Sequence, residues 1–146
     1  MTEGKVVPID KLSLEQLNYV GKQVEKEIDS YSKYYSSLRA INNRFLDNKE
    51  YIKQLKESEN KEILVPITSS LYIAGKSADV KKLTVEIGAN FFVETTIEKA
   101  DKFCDRKLAS LKENMDKVDK IIQEKNDQLN VINQNLIEKQ LAVPKK

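Results

Sequence analysis

The sequence predicts an α+β fold in which two long helices form an antiparallel coiled-coil hairpin and two β-hairpins lie at its midpoint. Two proline-free stretches with heptad spacing flank a middle block of alternating β-branched and aromatic residues. At 146 residues the chain has room for one domain. We expect that domain to span residues 1–146, with the first helix at 13–57, the two β-hairpins at 62–95 and the second helix at 96–141.

The first helix is predicted by a heptad pattern that starts at Leu17. With Leu17 as position a, every a position is apolar or aromatic, and so are most d positions. The a positions are Leu17, Val24, Tyr31, Leu38, Phe45 and Ile52, and the d positions are Val20, Glu27, Tyr34, Ile41, Asn48 and Leu55. Ser13 and Gln16 have the spacing of a capping box, so we expect the helix to begin there.

The second helix is predicted by apolar residues at alternate spacings of three and four. These residues are Ile97, Ala100, Cys104, Leu108, Leu111, Met115, Val118, Ile122, Leu129, Ile132 and Leu136, with a shift of phase near Leu108. Thr95 or Thr96 is expected to cap the first turn. Glu27 and Lys125 interrupt the two stripes, and antiparallel folding would bring them to similar heights. We therefore expect them to be neighbours that help to set the register.

The middle block alternates with a period of two, which is typical of short strands. Its four runs contain Ile63, Val65 and Ile67, then Leu71 and Ile73, then Leu83, Val85 and Ile87, then Phe91 and Val93. Turns are expected at Ser69-Ser70, at 75–79 and at 88–90. Four short strands leave unpaired edges and an apolar face that they cannot bury alone. We therefore expect the sheet to need partner strands from other subunits, so that the middle block serves assembly.

The composition argues against several classes of function. Lys and Arg number 25 and Asp and Glu 23, without a block of like charge, which is not the pattern of a nucleic-acid surface. The chain has no histidine and no glycine-rich phosphate loop, so we expect no enzyme activity, no metal and no cofactor. One cysteine, no membrane-length apolar run and no signal-peptide core favour a cytoplasmic protein that does not bind membranes.

Two segments carry a resemblance to a known family. VPITSSLYIAGKSAD at 65–79 and VEIGANFFVETTIEKADKFCDRK at 85–107 resemble the signature of α-class prefoldin subunits. Together with the two heptad stretches, the resemblance covers nearly the whole chain. Ala74 departs from the pattern, because relatives often have proline before this glycine. The departure loosens a turn and leaves the functional expectations unchanged.

The resemblance implies a heterohexamer of two α-class and four β-class prefoldin subunits, with the hairpins in a double β-barrel and six coiled-coil arms. It implies an ATP-independent co-chaperone that captures unfolded actin and tubulin and delivers them to the cytosolic chaperonin. The expected partners are therefore other prefoldin subunits, unfolded actin and tubulin, and the chaperonin. Subunit assembly is expected to depend on Val65, Ile67, Leu71, Ile73, Leu83, Val85, Ile87, Phe91 and Val93.

Client capture is expected near the two chain termini, at the shared tip of the helical hairpin. The candidate residues are Leu12, Leu14, Leu17, Val20, Val131, Ile132, Leu136, Ile137 and Leu141. Four of them occupy seam positions, where packing between helices is the competing interpretation; these are Leu17, Val20, Ile132 and Leu136. Four further candidates lie outside the seam: Leu14, Val131, Ile137 and Leu141. Exposed apolar surface at these four suits weak, non-directional capture, with scattered surface residues as the competing interpretation.

A structural coiled-coil tether or scaffold subunit is the rival hypothesis. A continuous second apolar stripe along one helix would favour a tether, and the sequence has none. Tyr31, Tyr34 and Tyr35 could stack on nucleic acid, but two of them lie at assigned seam positions, which favours core packing. Cys104 also follows the stripe, where a buried and inert thiol is expected.

Overall fold

A computed structural model of the protein describes residues 8–142, with side chains as far as Leu141. The ends of the predicted domain, 1–7 and 143–146, lie outside the described residues. The chain divides into two compact units. We call Met1–Arg39 with Asn114–Lys146 the terminal unit and Ala40–Glu113 the central unit.

The described residues form two long helices and four short strands. A 3-10 turn at Ile9–Lys11 precedes α1 (Leu14–Lys56), β1 (Glu62–Pro66), β2 (Tyr72–Lys76), β3 (Lys82–Gly88), β4 (Phe91–Thr96) and α2 (Ile97–Ala142). β1 pairs with β2 and β3 pairs with β4, both antiparallel, as two separate sheets. The predicted α+β class is confirmed, and no barrel closes within the part of the chain that the structure describes.

Both helices begin at capping residues that the sequence indicates. The backbone N–H of Ser13 donates to Gln16 Oε1 at 2.9 Å, and the N–H of Gln16 donates to Ser13 Oγ at 3.2 Å. This reciprocal pair is the predicted capping box. At the start of α2, Thr96 Oγ1 accepts from the N–H of Lys99 at 3.4 Å. A hydrogen bond from its own backbone N–H, followed by the Thr96 side chain, lowers the pKa of Glu98.

The contact face of α1 differs from the predicted one in its second column. All six a positions are buried or half-buried, as expected. The second column, however, is position e, whose buried or half-buried members are Gly21, Ile28, Tyr35, Asn42 and Lys49. The d positions Val20, Tyr34 and Ile41 are exposed, so their assignment to the seam was wrong. Residues at a and e are i,i+4 neighbours, so the two columns still form one narrow face.

The contact face of α2 follows the prediction. Every predicted apolar position from Ile97 to Leu136 is buried or half-buried, and so is Lys125. Cys104 is buried, and its burial raises the pKa of the thiol. The thiol is therefore protonated at neutral pH, which agrees with an inert packing role.

The central unit has a core where the two helices meet one hairpin. Ile52 of α1 packs with Ile97, Ala100 and Cys104 of α2, and Leu83 and Val85 of β3 cover this cluster. The aromatic rings of Phe45 and Phe103 add a tilted contact at 6.3 Å between centroids. The hairpin β3–β4 is thereby attached to the helices through one face.

The terminal unit has a second core, built on Leu17, Val24 and Ile132. Leu17 is fully buried at 0% exposure, and Ile132 is 3% exposed. Gly21 lies on the same face, and a Cβ placed there would be 3.5 Å from Ile132 Cγ2, an ordinary van der Waals distance. A methyl group therefore fits between the two helices at this point.

Changing Gly21 to alanine should stabilise the protein. Alanine favours a helix interior over glycine by about 0.8–1 kcal/mol, and the added methyl meets no clash. We expect the melting temperature of the assembled complex to rise. A lowered melting temperature would show that the helices pack more closely at Gly21 than the structure indicates.

Candidate functional site

The exposed strands carry most of the predicted assembly residues. Seven of these side chains are exposed: Val65, Ile67, Leu71, Ile73, Ile87, Phe91 and Val93. Their exposure runs from 40% at Val65 to 68% at Phe91. Leu83 and Val85 differ, because they are half-buried against the core of the central unit. We call the seven exposed residues the hairpin surface.

The hairpin β1–β2 is apolar on both faces. Val65 lies opposite Ile73 on one face, with Ile63 next to them, and all three are exposed. Leu64 and Tyr72 lie on the opposite face and are exposed as well. The sequence reasoning missed these two, although they interleave with the predicted residues and could have been found by the same alternation. A hairpin that is apolar on both faces needs cover on both.

The hairpin β3–β4 ends in a tight two-residue turn. Gly88 pairs with Phe91 across Ala89 and Asn90, which have φ of 50° and 60°. Positive φ at both central residues is typical of a two-residue hairpin turn whose backbone twist matches the twist of the two flanking strands. The register shifts between Glu86 and Gly88, so Ile87 is an extra residue in β3. Phe91 and the neighbouring Phe92 are both exposed beyond this bulge.

A groove of about 560 Å³ lies between the helices and β3 in the central unit. Ile41, Phe45 and Tyr51 of α1 line one side, and Leu83 of β3 and Phe103 of α2 line the others. Ile41 and Tyr51 in this lining are exposed, so the groove offers a partner a concave apolar feature in addition to the protruding hairpin surface.

The predicted client residues of the terminal unit fall into three classes of exposure. Leu17 and Ile132 are buried in its core, and Leu12, Leu14 and Leu136 are half-buried. Four are exposed: Val20, Val131, Ile137 and Leu141. Leu141 is the most open at 81%. We call these four residues the terminal surface.

The predicted neighbours Glu27 and Lys125 form an ion pair. Lys125 Nζ lies 2.7 Å from Glu27 Oε2, which confirms the prediction that these two residues are neighbours. This hydrogen bond raises the pKa of Lys125, so the ammonium form is favoured throughout the neutral range. The pair crosses the seam between the two helices, where a polar contact favours one register over others.

Reversing one charge of this pair should destabilise the complex, and reversing both should restore it. Exposed pairs are worth about 0.2–1 kcal/mol, so Glu27→Lys should lower the melting temperature modestly. The double change Glu27→Lys with Lys125→Glu should recover most of the loss. Glu25→Lys, an exposed control on the same helix, should have little effect. Equal melting temperatures for the single and double variants would contradict a register role.

A second ionic contact, in the central unit, was not anticipated. Lys49 of α1 donates a hydrogen bond to Asp105 of α2, and its Nζ lies 3.6 Å from Asp101 Oδ1. The hydrogen bond to Asp105 raises the pKa of Lys49. Lys49 occupies the e column of α1, so it was not recognised as a seam residue.

Neither surface resembles a catalytic or metal centre. Among the residues that the structure describes, no group of His, Cys, Asp and Glu is placed to hold a metal ion. Within the same part of the chain, no helix is long and apolar enough to cross a membrane. What the structure displays instead is apolar surface on open strands and near the ends of the helices.

Comparison with known proteins identifies the family. The family model described as "Prefoldin subunit" matches residues 24–141. The chain belongs to the prefoldin family. This prefoldin chain is 38% identical to "Probable prefoldin subunit 5" of Dictyostelium discoideum, over 86% of its own length and 79% of the relative. It is 34% identical to "Prefoldin subunit 5" of Homo sapiens, over 82% of its length and 78% of that protein.

A further relative and a solved structure extend the likeness. "Probable prefoldin subunit 5" of Schizosaccharomyces pombe is 34% identical, over 94% of the chain and 92% of that protein. The cryo-EM structure of filamentous PFD from Methanocaldococcus jannaschii aligns with a TM-score of 0.72 at 21% identity, over 80% of this prefoldin chain and 98% of that one. Prefoldin subunits are chaperone components without enzymatic activity, and they assemble with other prefoldin subunits. The resemblance read from the sequence is thereby confirmed.

Proposed function

We propose that this chain, in a heterohexamer of two α-class and four β-class prefoldin subunits, captures unfolded proteins in the cytoplasm without ATP. Actin and tubulin are the proposed clients, and the cytosolic chaperonin is the proposed recipient. Both hairpins carry exposed apolar side chains, and this observation supports assembly through the strands. In this proposal, the barrel that the chain cannot close alone is completed by strands of other subunits.

The observation that carries the proposal is the distribution of exposed apolar residues on α2. Between Ile97 and Leu141, the exposed large apolar side chains are Val131, Ile137 and Leu141, all in the last quarter of the helix. Apolar attraction is non-directional, so a small exposed group can hold many unfolded chains weakly. A helix-binding tether would need an apolar stripe along the helix.

The exposed column on α1 does not supply such a stripe. Val20, Tyr34 and Ile41 follow heptad spacing, but Glu27 and Asn48 interrupt the column with polar groups. A partner helix that packed along this column would cover a charged side chain between Val20 and Tyr34. The structure therefore favours local capture over a tether of continuous helix contacts.

Holding of denatured actin tests this proposal. The chain is assembled with its partner prefoldin subunits, actin is diluted from denaturant, and aggregation is followed by light scattering without nucleotide. We expect the complex to suppress aggregation. A complex of the expected size that leaves aggregation unchanged would support the tether alternative.

A further inference from the structure

The chain segment ahead of α1 lies across the core of the terminal unit. We call Pro8–Leu12 the strap. Its 3-10 turn is closed by hydrogen bonds from the N–H of Lys11 to Pro8 O at 3.0 Å and from the N–H of Leu12 to Ile9 O at 3.1 Å. Ile9 and Leu12 both pack against the cluster of Leu17, Val24 and Ile132. The strap therefore covers apolar side chains that the two helices leave open on that side.

One lysine of α2 holds the strap in place. Lys139 Nζ donates to the backbone carbonyl of Asp10 at 2.8 Å and to that of Leu12 at 2.5 Å. The bonded residues are 129 and 127 positions apart in the chain, so these contacts are not part of local helix capping. An ammonium that donates to two carbonyls forms charge-assisted hydrogen bonds, which are stronger than neutral ones.

Among the residues that the structure describes, the strap has few other attachments. Leu12 precedes the Ser13 cap and packs near Leu17 at the fourth helical position, as in a hydrophobic staple. Pro8, Asp10 and Lys11 are exposed. A short segment with two half-buried apolar residues and three exposed ones belongs to the part of a protein that opens most easily.

We propose that the strap is a releasable cover, held by Lys139, over an apolar surface that can receive a segment of an unfolded chain. Ile9 and Leu12 stand where the apolar side chains of such a segment would pack, against the cluster of Leu17, Val24 and Ile132. The strap and an unfolded chain therefore compete for one surface. The identity of the competitor rests on the proposed function, whereas the cover itself does not.

Releasing the strap should expose its amides and the surface beneath it. In the assembled complex, Lys139→Ala should speed hydrogen exchange at the Lys11 and Leu12 amides by about tenfold, equivalent to ~1.4 kcal/mol. Fluorescence of the apolar dye bis-ANS and the holding of denatured actin should both rise. Lys139→Arg keeps two donors and should restore all three readouts. Lys120→Ala, at an exposed position of α2, removes the same charge and should change none.

Ile9→Ser gives a second release that leaves α2 unchanged. It removes one of the two apolar contacts of the strap and should shift exchange, dye binding and holding in the same direction as Lys139→Ala. Unchanged exchange in Lys139→Ala would overturn the role of Lys139. If exchange becomes faster but neither dye binding nor actin holding increases, the strap does not cover an apolar binding surface, and the proposal is wrong. Failure of the proposed function is distinguishable, because the wild-type complex would then hold no actin while exchange and dye binding still report on the strap.

Discussion

A variant with Val65, Leu71, Ile73 and Phe91 all changed to serine should fail to assemble with its partner subunits. Full burial of one such side chain is worth about 1.5–3 kcal/mol, and roughly half of each is still exposed in the chain alone. The four changes should therefore weaken association by about 3–6 kcal/mol, or on the order of 10²–10⁴ in Kd. Sedimentation of the mixed subunits measures the loss of the complex.

The control for this experiment uses polar residues on and next to the same hairpins. Glu62, Lys76 and Lys81 are exposed and polar, and changing them to serine removes little apolar area, so assembly should survive. Val85 is left unchanged because it packs on the core of the central unit, and its loss would weaken the chain itself. The wild-type chain alone is expected to self-associate or aggregate. A fourfold variant that still forms a complex of normal size would show that assembly uses other surfaces.

A variant with Val131, Ile137 and Leu141 changed to serine should assemble normally and lose most of its ability to hold denatured actin. All three side chains are exposed, so each change should alter stability by no more than about 0.5 kcal/mol. Capture should fall sharply, because it sums several weak apolar contacts. Leu14 is left unchanged: it was expected to be exposed, but it is half-buried, and serine there would also cost packing.

Two exposed apolar residues on α1 give the control. Tyr34→Ser and Leu46→Ser remove exposed apolar area outside the terminal surface and should leave holding intact. Holding is measured by light scattering after size-exclusion confirms the complex. Full activity of the triple variant would show that clients bind elsewhere, and loss of the complex would show that these residues are structural.

Much of the fold could be predicted because its signals are local. The capping box at Ser13 and Gln16, the alternation of the strands and the spacing of α2 each depend on neighbouring residues. The pairing of Glu27 with Lys125 was also predictable, because the two residues lie at similar distances along their helices from the strands that join them, and antiparallel folding brings such positions to similar heights.

The errors have a common physical origin. The second buried column of α1 contains Gly21, Asn42 and Lys49, which do not look like core residues. Gly21 is buried because Ile132 of α2 lies opposite, and Lys49 is half-buried because Asp101 and Asp105 lie across the seam. These reasons belong to the partner helix and not to the local sequence. The contact of Lys139 with the strap joins the two ends of the chain and has no local signal at all.

Site-specific crosslinking tests most directly the claim that assembly and capture use different surfaces. A photoreactive benzoylphenylalanine is placed at Ile137 in one complex and at Leu64 in another, and each is irradiated with denatured actin bound. Both positions are exposed in the chain, so the probe can be accommodated at either. We predict that the probe at Ile137 crosslinks to actin and the probe at Leu64 to a partner subunit. Actin adducts from Leu64 and none from Ile137 would contradict the account.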